Sequence, residues 1–150
     1  GQYLRQAEVA KDQLAKIGID AEIVALDNVT REDRMRRGTF DLDSFRWTDN
    51  TGDPDETLYT NYYTKAGRNY ASFSDKQVDE LIDKQARTLD VNARKAILGE
   101  IQKRIMEQAP VLIIFWDVSQ TGAWKEVKNF KPGPGLHPWG KFDQMWLAAQ

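Results

Sequence analysis

Residues 11–23, Lys11-Asp12-Gln13-Leu14-Ala15-Lys16-Ile17-Gly18-Ile19-Asp20-Ala21-Glu22-Ile23, change their apolar period in the middle. From Leu4 up to Gly18, the apolar positions Ala7, Ala10, Leu14 and Ile17 recur at steps of three and four, which is one stripe of a helix. After Gly18, Ile19, Ala21 and Ile23 alternate with Asp20 and Glu22, the period of a strand, and 24–26 continue it. A helix, a glycine stop and a strand make a compact αβ unit.

The same logic extends along the chain. Thr30 and Asp33 have capping-box spacing and predict a short charged helix that Gly38 stops. Phe40, Leu42, Phe45 and Trp47 read as a second strand. The stretch 48–56, Thr-Asp-Asn-Thr-Gly-Asp-Pro-Asp-Glu, concentrates turn formers without an apolar period and reads as a loop. Ser74 and Gln77 repeat the capping-box spacing before Val78, Leu81, Ile82, Ala86 and Leu89, an amphipathic helix. Asp90 is expected to cap a longer helix carrying Ala93, Ile97, Ile101 and Ile105, which should stop at Pro110 because the residue before a proline avoids helical dihedrals. The near-continuous apolar run 111–115 predicts a central strand covered on both faces. Beyond it, Gly and Pro at 132–135 and Pro138 interrupt a tail that holds Trp139, Phe142 and Trp146. This order predicts an α/β, layered α+β, fold with a mixed sheet flanked by helices.

Composition narrows the function. A chain of 150 residues suits one folded unit. Its 41% hydrophobic and 29% charged residues argue against intrinsic disorder. Lys and Arg number 21 against 23 Asp and Glu, so a net charge of -2 offers no field for attracting phosphate backbones, and nucleic acid is not an expected partner. The absence of cysteine removes disulfides, thiolate zinc sites and Cys nucleophiles. The chain opens on Gly1 and is already helical in pattern, so any signal peptide is expected upstream and the chain is read as a piece of a longer protein.

Four segments carry a resemblance. Gln13 to Asp20 looks like a "qLkkiGI" element, Gly38-Thr39-Phe40-Asp41-Leu42 like a "gdfDl" strand entry, and Trp47 through Asp53-Pro54 like a "W…D…DP" loop. Val78 to Ile82, Asp90, Arg94, Glu100-Ile101-Gln102 and Ala109-Pro110-Val111 repeat a C-terminal signature in order. Together these resemble the family 5 extracellular solute-binding proteins of ABC importers, the group of dipeptide, oligopeptide and nickel binders. The resemblance implies the C-terminal lobe of a type II-like periplasmic binding protein. Residues 1–150 would then form a single partial domain whose 111–150 portion includes a hinge-proximal strand and an aromatic tail. It also implies a small-molecule solute, peptide-like or sugar-like, closed between two lobes. The implied partners are a membrane permease and an N-terminal lobe of the same protein, and the implied location is periplasmic. No enzyme activity and no cofactor are implied. The family's usual strand before the first helix has no counterpart here.

Trp47 ends a strand beside a polar loop, where its ring could stack on a ligand and its indole N–H donate; the alternative is a core tryptophan. Asp49 could meet a ligand ammonium and Asn50 could both donate and accept, although both residue types also serve turns. In peptide-binding relatives the acid that receives the ammonium lies three positions after the tryptophan, where this chain has Asn50. A neutral amide cannot neutralise an ammonium, which argues against a plain peptide ligand and favours sugars, opine-like conjugates or modified amino acids. Arg46 could meet an anionic group but should face away from Trp47. Asp53-Pro54 is expected to fix the loop.

Other chemistry is poorly supported by the residues. From Asp49 the sixth and twelfth positions are Pro54 and Thr60, which does not fit an EF-hand. The sole histidine, His137, lies in the tail, and no serine sits in a nucleophile elbow. Asn28-Val29-Thr30 fits a helix start better than a glycosylation site. The remaining rival is a protein–protein docking module built on the aromatic tail, and some of Trp116, Trp124, Trp139 and Trp146 are expected to be exposed.

Overall fold

The computed structural model describes residues 2–48, 51–116, 122–131 and 142–148. The chain forms two compact units, Gly1–Trp47 and Thr48–Gln150. Asp49, Asn50, His137 and Trp139 lie outside the described residues.

In the first unit, helix α1 spans Gln2–Ala15 and ends three residues before the expected stop. Gly18 sits in the left-handed region at φ 83° and closes the turn, with its N–H and those of Ile17 and Ile19 donating to Ala15 and Leu14 carbonyls. Helix α2 spans Asn28–Arg37. Its cap is Asp27 and not the expected Thr30: one Asp27 oxygen accepts from the Val29 and Thr30 amides, each at 3.0 Å, and the other from the Thr30 hydroxyl at 2.6 Å. A carboxylate three residues earlier meets two orphan amides and the positive helix end at once, which a threonine hydroxyl cannot. The Thr30 hydroxyl and amide lower the Asp27 carboxyl below its ordinary range. Gly38 ends α2 at φ 65°.

The segment 40–47 is extended and held by side chains. Arg31 of α2 grips Asp43 with Nε at 2.9 Å and a terminal nitrogen at 2.8 Å. It also donates to the Ser44 carbonyl and lies over the Tyr3 and Phe45 rings. Ser44 donates to Gln6 of α1 at 2.6 Å.

In the second unit, Asp53 caps the short helix α3, Pro54–Thr57, by accepting from the Asp55 amide, and Pro54 takes the first helical position, where a missing N–H costs nothing. The helix widens into a π-helical turn, Leu58–Tyr62, in which the Tyr63 amide reaches back to the Leu58 carbonyl. Asn69 then pins the following loop: its amide donates to the Tyr63 and Phe73 carbonyls and its oxygen accepts from the Phe73 amide. Helix α4 spans Lys76–Ala86, capped by Asp75 one residue after the expected Ser74. Helix α5 spans Val91–Gln108, capped by Asp90 as expected, and ends at Ala109 with φ 44° immediately before Pro110.

Helices α4 and α5 pack together and enclose the core. Val78, Ile82 and Ile101 are fully buried, with Leu58, Tyr62, Phe73, Leu81 and Ile97 around them. Tyr62 meets Phe73 edge to face at 6.3 Å. Two arginines of α5 reach back to capping carboxylates. Arg94 forks onto Asp53 at 2.6 and 3.0 Å, and Arg104 donates to Asp75 at 2.8 Å.

The sheet is small. Strands β1, Val127–Lys128, and β2, Trp146–Leu147, pair antiparallel, Val127 opposite Leu147. Helices, extended connections and this ladder give the mixed α and β composition expected. The strands expected at 19–26, 40–47 and 111–115 must be corrected, however. All three are extended, yet none joins a ladder among the described residues. Apolar alternation supplies a strand's face but not its partner, and a strand exists only when a neighbouring backbone takes its amides and carbonyls. The central strand expected at 111–115 instead leaves Leu112 85% exposed and Ile113, Ile114 and Phe115 more than half exposed. Trp116 and Trp124 are both 83% exposed and Trp146 is exposed as well. No helix among the described residues is long and apolar enough to cross a membrane.

Two predictions follow from this packing. Ile82→Ala removes a fully buried side chain from the α4–α5 contact and is expected to cost about 2–5 kcal/mol, read from urea unfolding followed by helical circular dichroism. The second concerns acid. Hydrogen bonds from Arg94, then from the Asp55 amide, hold the Asp53 carboxyl at about 2. Burial pushes the Asp75 carboxyl up, and the hydrogen bonds from Arg104, Gln108 and the Val78 and Gln77 amides outweigh it, leaving it also at about 2. Both lie below the ordinary 3.8. Their contribution is therefore complete above the unfolded value and lost as pH falls from about 4 to about 2. Urea midpoints measured across that window should fall, and fall less in Asp53→Asn/Asp75→Asn, whose midpoint at neutral pH is already lowered.

Candidate functional site

The extended segment 40–47 delivers Trp47 to the start of the polar loop. Phe45 and Trp47, two residues apart, share one side of the segment and meet edge to face at 6.1 Å and 82°. Arg46 between them belongs to the opposite side, and Arg46 and Trp47 are each half-buried. Phe45 is itself fixed, because the guanidinium that holds Asp43 also covers its ring at 5.4 Å. The Trp47 ring is thus braced by a neighbour whose own position an ion pair determines. Asp49 and Asn50, the other two expected site residues, fall outside the described residues.

The loop is again described from Thr51. The Thr51 hydroxyl accepts from the Asp53 amide at 3.2 Å and lies 3.3 Å from the Asp53 carbonyl, to which it donates. Gly52 takes φ 72°, a conformation that a side chain would strain. Asp53 then meets the Arg94 fork, the geometry that makes arginine–carboxylate pairs both strong and directional. A terminal nitrogen of Arg94 also reaches Asp55 at 3.3 Å. Gln85, fully buried on α4, completes the cluster: its Nε2 donates to Asp55 and its Oε1 accepts from Arg94 Nε at 2.9 Å. Two carboxylates, one guanidinium and one amide thereby join the loop's end to both long helices. This is the loop-fixing role expected of Asp53-Pro54.

The sequence shows Arg94 only as part of a signature and gives Gln85 no role. The available signal was Gln85, a polar residue on the stripe of Val78, Leu81, Ile82 and Leu89, where a buried amide requires partners. Arg94 lies 41 residues from Asp53, beyond any local spacing rule.

The tyrosines are also committed. The Tyr59 and Tyr63 hydroxyls donate to the two oxygens of Asp83 at 2.8 and 3.2 Å, with their rings 5.3 Å apart. Burial, then the Asp83 carboxylate, pushes the Tyr59 hydroxyl up to about 12. Asp53 at about 2 stays ionised and Tyr59 stays neutral across the physiological range, so neither exchanges a proton there. Among the described residues no group of three or more His, Cys, Asp or Glu side chains could hold a metal ion. The described contacts hold the end of the loop in place.

Comparison with known proteins agrees with the resemblance found in the sequence. Residues 2–69 match the family described as bacterial extracellular solute-binding proteins, family 5 Middle. The Dipeptide-binding protein of Escherichia coli (strain K12) is 31% identical over 137 residues, which cover 89% of this chain and 26% of that protein. Di/tripeptide-binding protein 3 of Pseudomonas aeruginosa (strain UCBPP-PA14) is 32% identical over 130 residues, 85% of this chain and 24% of the relative. The solved structure of HbpA2 from Haemophilus parasuis superimposes with a TM-score of 0.68 at 27% identity, over 71% of this chain and 21% of that one. The chain therefore spans about a quarter of the length of the curated relatives it matches. The family assignment rests on agreement of the sequence signatures, the family match and the shared fold: this chain belongs to the bacterial extracellular solute-binding proteins of family 5.

Proposed function

We propose that the full-length protein captures a short peptide outside the cytoplasmic membrane and hands it to the permease of an ABC importer, and that this chain supplies one wall of the ligand cleft. The observation that carries the reading is similarity across 85–89% of the chain to proteins named for binding dipeptides and di- or tripeptides. Trp47, braced by Phe45, is the stacking surface, and Asp49 and Asn50 are the polar groups that follow it in the chain; Arg46, on the opposite side of its segment from Trp47, is left for an anionic group of the ligand. Binding proceeds without bond-making chemistry and without a cofactor; the remaining contacts come from the other lobe of the same protein.

The replacement of an acid by Asn50 bears on the ligand. With an amide there, Asp49 is the carboxylate left to meet a peptide's ammonium. If neither pairs with it, an opine, whose α-nitrogen is substituted, or a sugar, which carries no ammonium, becomes the better ligand. The exposed run at 111–115 with Trp116 favours a second reading, a protein docking surface without a small ligand.

Calorimetry and thermal shift on the full-length protein separate these readings, since a ligand that binds only the folded state raises the melting temperature. Di- and tripeptides are expected to bind. N-acetylation of the peptide should weaken binding by about tenfold or more, the loss of a charge-assisted contact. Trp47→Ala should weaken it by a similar factor, and Asn50→Asp should tighten it. Binding of opines or oligosaccharides in place of peptides would overturn the peptide assignment. No response to any of these classes, in protein shown to be free of ligand, would favour docking.

A further inference from the structure

We propose that Arg31 is a positioning residue for ligand binding: from helix α2 it sets, through Phe45, the orientation in which the Trp47 ring is presented. The inference rests on the reading of Trp47 as the stacking surface and extends it to a side chain that need not touch the ligand.

The need for such a residue comes from the backbone. The segment 40–47 is extended but joins no ladder among the described residues, so no neighbouring strand sets its register or twist. Side chains hold it instead, from two helices. From α1, Gln6 accepts from the Ser44 hydroxyl at 2.6 Å. From α2, Arg31 makes three hydrogen bonds: Nε to one Asp43 oxygen at 2.9 Å, a terminal nitrogen to the other at 2.8 Å, and the same nitrogen to the Ser44 carbonyl at 3.1 Å. Several bonds to one planar group fix its plane as well as its place.

That plane acts on the aromatic residues. Asp43, Phe45 and Trp47, at steps of two, belong to one side of the extended segment. The guanidinium carbon lies 5.4 Å from the centre of the Phe45 ring and 5.2 Å from that of Tyr3 on α1, within the range of cation–π attraction to both. Phe45 in turn meets Trp47 edge to face at 6.1 Å and 82°. Such a contact is directional, so a Phe45 ring released to tilt would release Trp47 with it. The Arg31 and Asp43 side chains are only 19% and 18% exposed, which leaves their attraction little screened by solvent. A lysine at 31 could neutralise Asp43 but could not both fork onto it and cover a ring in one fixed plane.

Helix α2 also provides the control. Arg34 ties the helix to the chain that follows it, its Nε donating to the Thr39 carbonyl at 2.9 Å, but that bond ends before the segment begins. A general loosening of α2 should follow from replacing either arginine, whereas a positioning role belongs to Arg31 alone.

The test compares Arg31→Gln, Arg31→Lys and Arg34→Gln in the full-length protein by two readouts. The first is fluorine NMR of protein labelled with 5-fluorotryptophan, without ligand, the Trp47 resonance being assigned through Trp47→Phe. That resonance should shift or broaden in Arg31→Gln, less so in Arg31→Lys, and keep its place and width in Arg34→Gln. The second is dipeptide affinity in a double-mutant cycle. Arg31→Gln should weaken binding about threefold to tenfold in the parent and by less than about twofold once Trp47→Ala is present, because the ring through which it acts is then gone. If Arg31→Gln fails to fold, Asp43→Asn, which keeps the arginine and removes the charge that holds it, takes its place in both readouts. An unchanged Trp47 resonance on loss of the fork overturns the proposal whatever the ligand is. Equal losses of affinity with and without the Trp47 ring also overturn it, reducing Arg31 to a stabilising residue. A parent protein that binds no dipeptide overturns the peptide reading, and the Trp47 resonance, read without ligand, still decides the positioning role.

Discussion

Helix α5 carries two arginines, and each grips a carboxylate that caps another helix; the placement of α3, α4 and the loop before α3 depends on these pairs. The two arginines are ten positions apart, about 15 Å along the helix. Asp53 and Asp75 would cap their helices without any arginine, because a carboxylate at a helix start meets orphan amides and the positive end of the dipole. The arginines convert local caps into tertiary ties. Magnitudes decide how much each tie can do. An isolated exposed pair contributes about 0–1 kcal/mol, and Asp53 is close to half exposed. What raises the Asp53–Arg94 pair above that range is the fork and the buried Gln85 behind it, since loss of one member would leave a buried amide without its partner. The Asp75–Arg104 pair reaches its strength differently: Asp75 is only 10% exposed and collects two amides, a glutamine and one guanidinium nitrogen.

Apolar burial distributes itself unevenly around these ties. Between α4 and α5, Val78, Ile82 and Ile101 lose all or nearly all contact with water. The run at 111–115 is as apolar as that core and remains largely in water. Hydrophobicity alone therefore does not decide burial here. Helices α4 and α5 satisfy their own backbone groups before they pack, whereas an extended run must first find a neighbouring strand, and only then can its two faces be covered. In the first unit the segment 40–47 solves the same problem differently, with Arg31 and Gln6 holding it by side chains in place of a ladder.

That difference explains what could be read from the sequence. Helices α1, α2, α4 and α5 were legible because their stripes and stop signals are local, and Asp90, Gly38 and Pro110 act where the spacing places them. The caps of α2 and α4 were missed by three residues and one because several Ser, Thr and Asp compete at each start, and the carboxylate takes the amides. The strands were illegible in principle: alternation shows which face is apolar and says nothing about which segment pairs. For the candidate site, the sequence marked the Asp53-Pro54 anchor, whose signals lie within a few residues. It could not pair Asp53 with Arg94 or recognise Gln85 as the link between Arg94 and Asp55, because those contacts exist only once α4 and α5 have packed.

The anchor's position also bears on how a loop of turn formers can be selective. Five residues, 48–52, separate Trp47 from Asp53, too few to form a core of their own and rich enough in Asp, Asn, Thr and Gly to adopt many turns. A loop of that kind loses conformational entropy on binding unless its ends already restrict it, and each residue ordered in advance removes about 1–2 kcal/mol from the cost of association. One end here is restricted by ring packing against Phe45 and the other by the Arg94 fork, and the glycine and threonine between Asn50 and Asp53 are fixed by φ and by hydrogen bonds.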